Sequence, residues 1–97
     1  MSTETRQLAE NAIEKLLLLK WDPLAIRDTP GEHAEYRPYA HEVYALLARG
    51  ASDAQIARFL HRAEAGELNH PELAEQDLTL LVREVRALER SLGSMAR

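Results

Sequence analysis

Apolar residues recur along this chain at intervals of three and four, the spacing of one face of an α-helix. No segment alternates apolar and polar residues for long enough to read as a strand. The pattern predicts an all-α fold, a four-helix bundle-like single domain over 1–97, with helices at about 3–20, 38–49, 53–65 and 71–92.

In the first predicted helix, Leu8, Ala12, Leu16 and Leu19 form one stripe, widened on one side by Ala9, Ile13 and Leu17. Ser2 or Thr3 is placed to cap its start. The second helix has Tyr36, Tyr39, Ala40, Val43, Leu46 and Leu47 on its apolar face and stops at Gly50, a natural residue just past a helix end. Pro38 constrains its beginning, because the residue before a proline is pushed out of the helical region. In the third helix the run Ser52-Asp53-Ala54-Gln55 fits a capping box, with Ile56, Phe59, Leu60 and Ala63 facing inward. Arg58, His61 and Arg62 then fall on the outer side, and Gly66 ends the helix. The fourth helix, capped by Asn69 or His70, carries Ala74, Leu78, Leu81, Val85, Leu88 and Leu92 in an a/d register, with Leu73, Leu80 and Val82 broadening the apolar surface. Its acids, Glu72, Glu75 and Asp77, lie toward the N-terminus and Arg83, Arg86 and Arg90 toward the C-terminus, matching the helix dipole.

Between the first two helices lies Lys20 to Tyr39, which holds the one Trp of the chain and two of its three Tyr. Asp22-Pro23 suits the start of a short helical turn reaching Arg27, with Asp as cap and Pro at the first helical position. Pro30-Gly31 is turn chemistry. This segment is read as a joint: Trp21 anchors the end of the first helix, Tyr36 and Tyr39 pack beneath it, and Glu32, His33 or Glu35 supplies the polar partners that buried Trp and Tyr need.

Composition narrows the function classes. Cysteine is absent, so disulfides and thiolate metal sites are excluded. Twelve basic residues against sixteen acidic ones give a net charge of −4, which argues against a nucleic-acid partner. The longest purely aliphatic run is Leu16 to Leu19, far short of the ~20 residues of a membrane span, and the polar N-terminus is unlike a signal peptide. A cytoplasmic location is expected.

The candidate chemistry is sparse. His61 and Glu64 stand three apart, His41 and Glu42 are adjacent, and Glu67 to His70 repeats the Glu-x-x-His spacing. These places read as external, as salt bridges and solvated histidines rather than the inward-projecting ligand sets of a di-metal bundle. No serine sits on a Gly-flanked elbow and no glycine-rich phosphate loop exists, so no catalytic residue, metal ligand or cofactor is assigned and no enzymatic activity is expected. A helix-turn-helix reading of 46–77 is the main alternative, with a metal-dependent His/Glu enzyme beside it. In the former, the recognition element would carry Glu64, Glu67, Glu72, Glu75 and Asp77, which repel phosphate. The favoured class is a protein–protein interaction or regulatory module, with a homodimer through Leu78, Leu81, Val85 and Leu88 of the fourth helix as one form of it.

Trp21-Asp22-Pro23, then Glu35-Tyr36 with Tyr39 three on, then Leu46-Leu47, Gly50, Ile56 and Leu60, resembles the YugE-like family over about residues 10–64. The resemblance implies a small helical bacterial protein. It carries over no catalytic residue, since none is established for that family, and the chain departs from the pattern after Gly66.

Overall fold

The computed structural model describes residues 3–26, 28–66, 68 and 77–92. Four α-helices occupy them: α1 Thr3–Lys20, α2 Arg37–Ala48, α3 Asp53–Ala65 and α4 Thr79–Leu92. A 3₁₀ segment, Pro30–Tyr36, leads into α2, and no strand occurs among the described residues. The fold class is all-α. The expected Ser2 cap and the 71–76 portion of the fourth helix, with its Asn69 or His70 cap, lie outside the described residues. Within them, the final helix starts at Thr79, whose N–H donates to the Asp77 carboxylate at 2.9 Å.

Helix starts and stops follow local chemistry. At α2 the 3₁₀ segment ends on Tyr36 (φ −92°, ψ 0°), and Pro38 falls in the first helical turn, where its missing N–H is no loss. At the other end Gly50 takes φ +77°. The Gly50 N–H reaches the Leu47 carbonyl at 3.1 Å and the Ala51 N–H reaches Leu46 at 2.9 Å, the paired bonds of a Schellman closure. Two residues on, Ser52 Oγ accepts from the Gln55 N–H and the Gln55 amide oxygen accepts from the Ser52 N–H, so the capping box is present. These two devices set the tight turn from α2 into α3.

One expected element is absent. Trp21 to Ile26 forms an irregular turn and not a short helix, and Arg27 lies outside the described residues. Asp22 (φ +36°) and Ala25 (φ +56°) adopt left-handed backbone, which a right-handed helix cannot include. Asp22 still serves as a cap of sorts, its Oδ1 accepting from the Ile26 N–H at 2.8 Å. The Trp21 and Asp22 N–H groups both donate to the Leu17 carbonyl and close α1.

α1 packs against α2 and α4, and α3 packs against α4 and α2. Leu17, Tyr36, Val43, Ile56, Leu60 and Val85 are fully buried between them. Each such side chain contributes roughly 1.5–3 kcal/mol by leaving water. On α1 the expected stripe is corrected: Ala9, Ile13, Leu17 and Leu18 are buried, whereas Leu8 is 62% and Leu19 43% exposed. The helix is turned by about one residue, some 100°, from the orientation that the Leu8-to-Leu19 spacing implies. Leu78, just before α4, and Leu81, Val82 and Val85 on it lie in the core with Leu88 packed against it, while Leu80 is 70% exposed. The described seam of the fourth helix is therefore occupied inside its own domain, and Leu80 does not broaden the inward face.

Charged residues tie α1 to α2. Glu10 accepts from Arg6 Nε at 2.8 Å and meets His41 Nδ1 at 3.0 Å, while the Arg6 guanidinium stands 5.8 Å over the Tyr44 ring. Burial pushes the Glu10 carboxyl up, but the hydrogen bonds and charges of Arg6 and His41 outweigh it and hold it below the usual range. A carboxylate with a lowered folded pKa stabilises fully above its unfolded pKa, and that contribution is lost as pH falls through the folded value. Replacing Glu10 with Gln should accordingly flatten the acid limb of stability against pH in urea titrations. Gly50→Ala should cost about 1–2 kcal/mol in the same measurement at neutral pH, because alanine must adopt left-handed backbone.

Candidate functional site

Trp21 sits at the end of α1 with 6% of its surface exposed. Its ring centroid lies 5.6 Å from that of Tyr36 and 5.8 Å from that of Tyr39, the latter edge-on, and Tyr39 continues to Phe59 of α3 at 6.3 Å. These separations are those of favourable aromatic pairs. Trp21 thus contacts both Tyr36 and Tyr39 at the expected joint, and Pro23 is buried.

The polar partners differ from expectation. Glu32 and Glu35 are exposed, and the His33 side chain lies outside what is described. Tyr36, fully buried, instead donates its hydroxyl to Asp22 Oδ1 at 2.9 Å and accepts from the Leu24 N–H at 2.8 Å. Burial, reinforced by the neighbouring Asp22 carboxylate, pushes the phenol far above its ordinary value against the opposing pull of the Leu24 N–H. It therefore stays a neutral donor. Asp22 Oδ1 gathers two hydrogens at once, from Tyr36 and Ile26, which holds the left-handed turn in place.

Trp21 finds its partner on α3. Its indole N–H donates to Glu64 Oε2 at 2.7 Å, and His61 Nδ1 lies 2.9 Å from Glu64 Oε1. Glu64 is fully buried, whereas the His61 side chain is 28% exposed. The sequence reading places the His61–Glu64 pair on the surface, and for Glu64 that is corrected: the residue shares the inward stripe of Ile56, Leu60 and Ala63. A buried charge is costly unless each of its oxygens is met. Here an indole and an imidazole meet them, and no buried side-chain polar atom among the described residues lacks a partner. An indole N–H can only donate. With Glu64 accepting at both oxygens, the proton of a neutral His61 is assigned to Nδ1 and Nε2 carries a lone pair.

A line of contacts thus runs from the aromatic joint through a buried carboxylate to a part-exposed histidine. Beyond His61, α3 and α4 border a groove of about 300 Å³. Arg58 and Arg62 are exposed on α3, and among the described residues no group of three or more His, Asp or Glu side chains could hold a metal ion. No described helix is long and apolar enough to cross a membrane. Comparison with known proteins finds no matching family model, and no curated protein or solved structure matches the chain.

Trp21→Phe keeps the ring packing but removes the indole donor, leaving Glu64 Oε2 buried and unmet. We expect a loss of about 1–3 kcal/mol in urea unfolding. Replacing Tyr36 with Phe, which strips Asp22 and the Leu24 N–H of one partner each, should cost a similar amount; an unchanged midpoint in both variants would contradict the assigned bonds.

Proposed function

We propose that the protein is a non-enzymatic cytoplasmic interaction module that presents the exposed shoulder of α1 to a protein partner. The observation that carries this reading is the pair Leu8 and Leu19, exposed by 62% and 43%. They stand eleven residues apart, three helical turns or about 16 Å along one side of α1. The half-buried Ala12 and Leu16 lie between them, so the shoulder is a continuous apolar strip and not scattered single residues. Gln7, Asn11 and Lys15 give it a polar border, the arrangement of an interface core with a wet rim.

The α4 seam is a poorer candidate for self-association, because Leu78, Leu81 and Val85 already pack inside the domain. The Trp21–Tyr39 segment supports the reading indirectly: it holds α1 at a fixed angle to α3 through the Glu64 bond, and a rigid helix loses less on binding than a mobile one. The resemblance to the YugE-like family has its most specific part in Trp21-Asp22-Pro23, Glu35, Tyr36 and Tyr39, with Leu46-Leu47, Gly50, Ile56 and Leu60 beside them. It is compatible with this role and adds no activity to it.

Leu8→Glu combined with Leu19→Glu should leave the folded state within about 0.5 kcal/mol of the parent chain, since both side chains are solvent-facing. The pair should abolish partner capture in affinity pull-down, and sedimentation of parent and variant would show whether that partner is a second copy. Equal capture and equal sedimentation by both chains would overturn the assignment of α1 as the contact face.

A further inference from the structure

The groove between α3 and α4 has a composition that the interaction reading does not use. Ala54, Ala57 and Val82 supply an apolar wall, and Asp53, Asp77 and His61 bring polar atoms to it. Its volume of about 300 Å³ sits at the small end of ligand-binding clefts. The two carboxylates by themselves read as structural groups, because Asp77 already accepts from the Thr79 N–H and Asp53 Oδ1 pairs with Arg86 Nε at 2.6 Å. His61 is different. Its Nδ1 edge is drawn inward onto Glu64, a carboxylate with no solvent exposure, which holds the ring in one orientation and leaves Nε2 as the uncommitted nitrogen of a side chain that lines the groove. Buried carboxylates orient functional histidines in this manner, and a purely solvated histidine would need no such support.

We propose that this groove binds a small organic amine, an N–H-bearing cation on a compact apolar body, with His61 Nε2 as the acceptor that positions it. The charged groups at the groove, Asp53 and Asp77, are both acceptors, and with Nδ1 turned to Glu64 the ring nitrogen of His61 left for a ligand is Nε2; Thr79, the remaining polar residue there, is already hydrogen-bonded to Asp77. A ligand that fits them must bring donors, and an anion would face two carboxylates. The apolar wall asks for a compact hydrocarbon body, such as a single ring on a short stem, which loses its hydration on entering. Because Glu64 joins His61 to the indole of the chain's one Trp, occupancy of the groove should be felt at Trp21 without direct contact.

The test uses the full chain titrated with 2-phenylethylamine and, separately, with the near-isosteric acid 3-phenylpropionate. Ring resonances of His61, the Ala57 methyl signal and Trp21 emission are followed together. The amine should give saturable, concerted shifts in the low millimolar range, and the acid none. Ala57→Leu fills the groove without touching the Glu64 bonds and should weaken amine binding by at least about tenfold. His61→Gln should weaken it similarly while an unchanged circular dichroism spectrum shows the fold intact. Absence of saturable shifts, equal binding of the acid, or undiminished binding by Ala57→Leu would each overturn the proposal.

Discussion

A carboxylate removed from water must be met by donors at both oxygens, or the fold that buries it loses several kcal/mol. Glu64 is such a group, and the way it is satisfied organises much of this molecule. One oxygen takes the indole hydrogen of Trp21, forty-three residues earlier, and the other takes His61 one turn back on the same helix. The bond to Trp21 ties the end of α1 to α3. The pair is therefore a cross-link between elements that sequence separates, made from groups that would be expensive to bury apart.

The segment between α1 and α2 is built around that cross-link. Trp21 can reach α3 because α1 ends on two N–H groups converging on the Leu17 carbonyl and the chain then turns through left-handed Asp22 and Ala25. Such backbone costs on the order of 1–2 kcal/mol for each non-glycine residue. It is held by the Asp22 carboxylate, which collects Ile26 and Tyr36, and by the packing of Tyr36 and Tyr39 against the indole. The aromatic cluster and the polar bonds stand or fall together: the rings exclude the water that would otherwise compete for Glu64, and the bonds keep the rings in register.

Much of the fold was legible from local chemistry. The Ser52–Gln55 box, Gly50 at the end of α2 and the 53–65 span each depend on a few adjacent residues and appear where they were expected. What could not be read locally was decided by tertiary packing. Leu16 to Leu19 points leucines in every direction around α1, so spacing could not choose between the Leu8 and the Ile13 stripe; contacts with α2 and α4 chose the latter. The Asp22-Pro23 pair suits a helix start, but the long-range bonds of Asp22 and Trp21 pulled the turn into another shape. Glu64 is the residue whose placement differs most, because a charged residue is ordinarily assigned to solvent. The signal lies in its register: it falls four residues after Leu60 and eight after Ile56, on the inward stripe of α3. A lone indole in need of an acceptor was the complementary clue, and joining the two required knowing that α3 passes beneath Trp21.

The bonds of Glu64 lie beside both proposed surfaces: one ties down the end of the helix that carries the α1 shoulder, and the other engages the ring of the histidine that borders the α3–α4 groove. The claim beneath both is that the Trp21 indole hydrogen is truly sequestered on Glu64. The chain has one Trp and so one indole N–H resonance, whose hydrogen–deuterium exchange can be followed directly. The account predicts a protected signal that exchanges only through global unfolding, with the same free energy as the core amides of Val43 and Ile56. An indole hydrogen exchanging at the rate of an open, solvated tryptophan would contradict it.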